Sequence, residues 1–347
     1  MTYDKLFAPY TIKSVTIKNR ITLPPVVRFG WSDERGLVSE RHLAHYERIA
    51  RAGTGLIIVE ATCVLPDAKL SDNQLGLWED GQIAGFRRLA EACHAHGATV
   101  LVQIHHAGNR RTAERSVTNL SLEAMAGIRE AFVAAARRAK EAGLDGVEVH
   151  GAHGYLLSQF LSPLANRRDD AYGGDLDRRL RFAGEVVEGL RPLPDDRFIL
   201  GCRLGVNEPA LEDGLYAAER LTQLGVELLH ISNGIGDGSS PQPPEGFPYN
   251  WRVYAAGEVR KRTGVPVIAV YGILTPEQAE DVLEAGLADF VAVGRGQLAD
   301  PEWARHAAEG AGQVRCLECG RCKWYSDPAK CPAGPVREWL AGDKGGA

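Results

Sequence analysis

No run of apolar residues in this chain approaches the ~20 that a helix needs to cross a bilayer. The opening stretch MTYDKLFAPYTIKSVTIKNR also lacks the apolar core of a secretory signal. Both absences lead us to expect a cytoplasmic protein that does not engage a membrane. Basic residues are not in excess: 40 Lys and Arg against 45 Asp and Glu leave a net charge of −5, which offers no field for nucleic acid. Ahead of Cys316, cysteine is sparse, and Cys63, Cys93 and Cys202 stand singly in apolar or helical surroundings. Such isolated thiols are usually packing, not a disulfide framework. No low-complexity linker interrupts the chain before its glycine-rich end, GDKGGA. What remains, 347 residues at 44% hydrophobic and 24% charged, is the composition of an ordinary globular protein with a small-molecule partner.

Short apolar or β-branched runs alternate with amphipathic helical stretches. Eight read as strands: RITLPP from Arg20, GLIIVE from Gly55, ATVLVQI from Ala98, DGVEVH from Asp145, FILGCRL from Phe198, ELLHIS from Glu227, VPVIAV from Val265 and DFVAV from Asp289. Helices are expected over 39–52, 81–96, 121–142, 177–190, 275–285 and 300–309. Ser121 caps one, Thr275 with Pro276 opens another, and Gly143 and Gly286 supply stops. Continuously apolar strands alternating with helices imply a parallel sheet covered on its outer face, and eight repeats close into a (β/α)8 TIM barrel, an α/β fold. A doubly wound open sheet is the runner-up. We expect a barrel over 1–310 and a short cysteine-rich extension over 311–347.

In such barrels, reactive groups gather at the C-terminal ends of the strands. Two loops there, YGILTPEQAE and GRGQLADP, carry Gly272, Gly294 and Arg295, small residues and a cation suited to a phosphate, with helix N-termini adding partial positive charge. The glycines could instead serve tight turns alone. After the fourth strand, His150 and His153 are close enough in sequence to share one acceptor, so two imidazole N–H groups could polarise a carbonyl oxygen and hold the enolate formed when hydride reaches the β-carbon. Tyr155 offers a phenol to protonate the α-carbon. A metal held by the two histidines ranks lower, because only Glu148 stands near to complete it.

VEVHGAHGYLLSQFLSPLANRRDDAYGG resembles the Old Yellow Enzyme family of NAD(P)H:flavin oxidoreductases. LFAPYTIKSVTIKNRI, HLAHYERIARAGTGLIIVEAT, QIHHAGNR and VAVGRGQLADP follow the family's order, so the resemblance covers nearly the whole barrel. It implies FMN across the barrel mouth, with Pro25, Val26 and Ala61 near the ring system, Gln103 on its pyrimidine edge and Arg203 stabilising negative charge on the reduced ring. It also implies phosphate contacts from Gly272, Gly294 and Arg295, substrate binding by His150 and His153, and proton donation by Tyr155. NAD(P)H would be the reductant. PPVVRF departs from the pattern: Val27 and Phe29 replace a cysteine and a tyrosine common in the bacterial branch, and Arg28 between them could bind an anionic substrate or pair with an acid.

The extension RCLECGRCKWYSDPAKCP spaces Cys316, Cys319, Cys322 and Cys331 as C-x2-C-x2-C-x8-C. Four thiolates so arranged suit an iron–sulfur cluster or a structural zinc. The segment resembles the dienoyl-CoA reductase and trimethylamine dehydrogenase branch, which implies a [4Fe–4S] cluster. The expected activity is reduction of the activated C=C bond of an α,β-unsaturated carbonyl compound. The alternatives are an amine dehydrogenase or demethylase exporting electrons through the cluster, and a non-catalytic flavin- or metal-binding subunit. A non-redox aldolase barrel is weaker, for want of a Schiff-base lysine at a strand end. An electron-transfer protein and a second copy of the chain are the candidate macromolecular partners.

Overall fold

The computed structural model describes residues 2–110, 116–193, 195–235 and 240–334. Residues 335–347 of the expected extension lie outside the described residues. Two short strands, β1 (Tyr10–Ile12) and β2 (Val15–Ile17), form an antiparallel hairpin that the periodicity does not announce. The eight that follow are β3 (Ile21–Leu23), β4 (Leu56–Cys63), β5 (Thr99–His105), β6 (Gly146–Gly151), β7 (Ile199–Gly205), β8 (Leu228–Ser232), β9 (Val267–Val270) and β10 (Phe290–Ala292). Each falls on one of the eight runs read from the sequence. They pair in parallel in chain order and β10 returns to β3, closing the barrel and excluding the open sheet.

The strands are buried on both faces because their alternate residues serve two different cores. Val59, Val102, Val149 and Leu229 point outward into the core shared with the helices. Leu56, Ile58, Leu101, Ile199, Leu228, Ile268 and Phe290 fill the barrel interior, with Ile12 and Ile17 of the hairpin packed on them. These inward residues lie at the N-terminal ends of their strands, so the hairpin plugs that end with side chains.

The expected helix signals act as read. The Ser121 hydroxyl accepts from the Ala124 N–H, and Thr275 accepts from that of Gln278 with Pro276 in the first turn. Gly143 and Gly286 take the left-handed conformations, at φ +83° and +65°, that stop their helices. Helices Leu211–Gln223 and Trp251–Thr263 complete the outer ring. The helix expected over 300–309 is present from Trp303 to Glu309, three residues later than read. Gly294–Ala299 ends at Asp300, and a second helix begins at Trp303. Asp300 is drawn out of helical geometry because its carboxylate accepts from the Glu302 and Val314 N–H groups and meets the His306 ring at 2.8 Å. That capping also ties down the start of the extension, which folds back so that Trp324 packs edge-on to Trp31 and against His45. No helix among the described residues is long and apolar enough to cross a membrane.

Candidate active site

Following the interior rows upward, two residues per step, the apolar layer gives way to polar side chains. Leu101 is followed by Gln103 and His105 on β5, Gly146 by Glu148 and His150 on β6, and Leu228 by His230 and Ser232 on β8. All six polar residues are buried. β6 and β8 are not neighbours, so contacts between their side chains must cross the barrel interior.

The uppermost row is a hydrogen-bonded chain of three imidazoles and a hydroxyl. The Nδ1 atoms of His105 and His150 are 3.1 Å apart, His150 Nε2 lies 2.9 Å from His153 Nδ1, and His153 Nε2 lies 2.7 Å from Ser232 Oγ. His153 and Gly154 both have positive φ, +63° and +69°, and this sharp turn brings His153 back over His150. The turn is held by the His153 N–H on the Asn233 carbonyl and by Arg110 donating to the His153 carbonyl. Tyr155 follows, its ring edge-on to His105 at 4.5 Å and to His150 at 5.0 Å, with the Arg110 guanidinium 6.0 Å from its centre. The structure thus unites the three residues read from the sequence and adds His105, Arg110 and Ser232. The sequence signal for His105 was its position two residues after Gln103 on one strand face.

Burial holds this chain neutral. His105 is depressed to about 3, chiefly by desolvation, and His150 and His153 lie well below the usual imidazole range, from desolvation first and then from neighbouring imidazoles and Arg203. Desolvation also raises the Tyr155 phenol above its ordinary value. At neutral pH the site therefore offers neutral N–H donors and a protonated phenol.

Beside the chain opens a cavity of about 190 Å³ whose wall contains Pro25, Val26, Arg203, Gly272, Gly294 and Arg295, six of the eight residues expected to hold a cofactor. Ala61 and Gln103 lie outside that wall, on β4 and β5. Gly272 adopts φ +79° in the loop after β9. The helix after β10 runs from Gly294 to Ala299, and Arg295 in its first turn joins Arg203 as a positive charge in the cavity wall. The buried Arg203 Nε has no hydrogen-bond partner among the described residues. A buried guanidinium N–H without an acceptor is costly, and in the wall of a cavity it suits an anionic or acceptor-rich ligand such as FMN.

The Arg28 backbone N–H donates to Glu60 Oε2, and its guanidinium donates to the Phe29 carbonyl and lies over the Trp31 ring. Glu60 itself leaves the inward alternation. A register shift between Val59 and Thr62 breaks the row, and the Glu60 carboxyl lies 3.5 Å from both the Tyr46 hydroxyl and His42 Nε2 on the helix Glu40–Arg51.

Cys316, Cys319, Cys322 and Cys331 line one small pocket on the extension, with Arg295 and Trp324 also in its wall. Among the described residues, no group of three or more His, Cys, Asp or Glu side chains is placed to hold a single metal ion. Arg295 meets Glu318 of the extension at 3.2 Å, and Tyr325 lines the larger cavity. The cysteine pocket and that cavity therefore share a wall.

The model of the NADH:flavin oxidoreductase / NADH oxidase family matches residues 5–123 and 109–313. An NADH oxidase from Thermoanaerobacter brockii is 40% identical over 91% of this chain, which spans only 53% of that relative's length. An NADPH dehydrogenase from Listeria innocua is 36% identical over 90% of this chain and 96% of its own length. Among solved structures, a 2-naphthoyl-CoA reductase in complex with 2-naphthoyl-CoA superimposes with a TM-score of 0.86 at 25% identity, over 97% of this chain and 58% of that one. The chain belongs to the NADH:flavin oxidoreductase / NADH oxidase family, the flavin-dependent NAD(P)H oxidoreductases of Old Yellow Enzyme type.

Proposed function

We propose that this protein is an FMN-dependent ene-reductase acting on α,β-unsaturated carbonyl compounds, with NADH or NADPH as reductant. The observation that carries this reading is the neutral imidazole chain His105–His150–His153 beside a cavity whose wall holds Arg203 with its buried Nε unpaired among the described residues. Pro25, Val26, Arg203, Gly272, Gly294 and Arg295 would hold FMN, with Ala61 and Gln103 completing the ring contacts. The chemistry FMN supplies there is two-electron storage, hydride accepted from a reduced nicotinamide and passed to an activated alkene carbon.

The protein's own part is to bind and polarise the carbonyl. An entering oxygen takes over one of the N–H groups that His150 and His153 otherwise give to each other and to Ser232. Because the rings are neutral, they stabilise developing negative charge by hydrogen bonding without losing a proton. Tyr155 holds its proton at the phenolic oxygen and delivers it to the α-carbon. Arg110, near the Tyr155 ring, stabilises the phenolate left after proton delivery, an effect smaller than the opposing one of burial, and it presents a cation to any anionic tail of the substrate. Arg28, expected in that role, is engaged with Phe29 and Trp31 and would serve it only secondarily.

Cys316, Cys319, Cys322 and Cys331 would hold a [4Fe–4S] cluster. The four thiols line one common pocket, and a structural zinc on the same sulfurs is the alternative occupant. The cluster would supply one-electron exchange, and the wall shared with the flavin cavity favours a second reading, an amine dehydrogenase. The test is the visible spectrum of anaerobically purified protein, with FMN restored, before and after NADPH or NADH and then an enone or an amine. Bleaching by nicotinamide and recovery with the enone supports the ene-reductase; bleaching by the amine supports the second reading. Failure to retain flavin sinks both.

A further inference from the structure

Below the imidazole chain lies a second polar row, of which the proposed function uses Gln103 but not Glu148 or His230. Gln103 Nε2 donates to Glu148 Oε1 at 2.7 Å, and His230 Nδ1 lies 2.8 Å from Glu148 Oε2. Gln103 and Glu148 sit on the neighbouring strands β5 and β6, whereas the bond from Glu148 to His230 of β8 spans the barrel interior, and each residue is no more than 2% exposed. Strand register sets Gln103 beside Glu148, and Arg203 beside both His150 and His230. Glu148 is also the acidic group whose field acts most strongly on the buried Arg203.

We infer that Glu148, held by His230, is a positioning residue for the flavin: it fixes the orientation of the Gln103 amide and supplies the counter-charge to Arg203. This rests on the FMN reading above. The argument is one of donors and acceptors. A carboxylate can only accept, so it draws the Gln103 NH2 group toward itself and leaves the amide oxygen for the ring. The pyrimidine edge of a flavin carries an N–H donor, which that oxygen matches. A flipped amide would set donor against donor at the ring and oxygen against oxygen at Glu148. His230 prevents Glu148 from turning away by donating from Nδ1 to its second oxygen. The His230 Nε2 atom is buried with no hydrogen-bond partner among the described residues, so Glu148 is the polar group that orients the ring. The negative charge of Glu148 also offsets the Arg203 guanidinium, so less positive charge faces a ring that becomes more negative on reduction.

The experiment uses Glu148→Gln, which keeps the shape but can donate as well as accept. FMN affinity of the apoprotein is read by flavin fluorescence, and the midpoint potential of the bound flavin by spectroelectrochemical titration. Affinity is expected to fall by about tenfold or more, as for a buried hydrogen bond left mismatched, and the potential to move to a more positive value. A purely structural role would not shift the potential of the flavin that remains bound. Should Glu148→Gln not fold, His230→Gln is expected to weaken FMN binding in the same direction by less. In the wild-type holoprotein, nitrogen NMR of His230 should then show a protonated Nδ1 and a bare Nε2. Wild-type affinity and potential in Glu148→Gln, or the opposite His230 tautomer, overturn the inference while leaving the flavin reading intact. A wild-type protein that binds no FMN removes the flavin reading and this inference together.

Discussion

The two ends of the barrel interior are built from the same strands, yet they differ in every respect that matters for function. At the N-terminal ends, Leu56, Leu101, Ile199, Leu228 and Phe290 pack with the hairpin residues Ile12 and Ile17. Two or four residues further along those strands stand Gln103, His105, Arg203, His230 and Ser232. A rise of about 3.3 Å per residue separates the two layers by only some 7–13 Å. The lower layer is stabilised by area removed from water, whereas the upper layer is polar and buried, which costs free energy unless each group finds a partner. The orphaned Arg203 Nε and the positive φ of His153 lie only in the upper layer. The comparison teaches that the closed, plugged end carries the stability that permits an under-satisfied end to persist.

The largest effect should come from breaking the lower layer. Phe290 is fully buried and meets Tyr10 edge-on at 5.2 Å. Phe290→Ala should lower unfolding stability by about 3–5 kcal/mol, from lost transfer energy and an unfilled cavity. Denaturant melts would register the loss, while the turnover of molecules still folded stays near the wild-type value. A catalytic loss exceeding the stability loss would show that the layers are not separable. His150→Ala probes the other end. It removes a donor from the carbonyl-binding chain and should slow enone reduction by about 10²–10³-fold, the range for loss of one such donor. FMN should remain bound and the half-reaction with nicotinamide should change little, as stopped-flow absorbance of each half-reaction would reveal. Equal slowing of both half-reactions would contradict the division of roles.

The same contrast explains what was legible in the sequence. Eight continuously apolar runs alternating with helices gave the barrel, and His150, His153 and Tyr155 were legible as a site because six consecutive residues carry all three. Pro25, Arg203, Gly272 and Arg295 were recognised from the family resemblance and from their strand-end positions, and the cavity wall unites them. The Glu148–His230 bond escaped notice because it joins strands that are not neighbours, a proximity created only by closure. Tyr325 and Glu318 were missed for another reason. The place of Tyr325 in the cavity wall, and of Glu318 beside Arg295, goes with Trp324 docking against Trp31 and His45, a packing event with no periodic signature. The hairpin of three-residue strands is too short for alternation to reveal it. Glu60 departs because a register shift, not visible in a β-branched run, turns it toward the helix Glu40–Arg51.

Glu60 gives the smallest and most pH-specific test of the comparison. It is 1% exposed at the rim, and desolvation raises its carboxyl to about 8, partly opposed by the Arg28 N–H and the Tyr46 hydroxyl. Its neighbour His42 is depressed to about 4 by burial, so at neutral pH both groups are uncharged in the folded protein. For Glu60 the folded state holds a proton that the unfolded chain releases above about 4.5. Its contribution is therefore complete below that value and declines as pH rises toward 8. His42 runs the other way, because the unfolded imidazole takes up a proton below about 6.5 that the folded one refuses down to about 4. Glu60→Gln removes the first of these dependences and keeps the second. Melts of wild type and variant should show the variant gaining relative stability as pH rises from 5 to 8, and the variant losing stability as pH falls below 6 while the wild type, in which Glu60 opposes His42, changes less. A constant difference across that range would mean that Glu60 is ionised in the folded protein, and that this part of the rim holds a charge its neighbours satisfy.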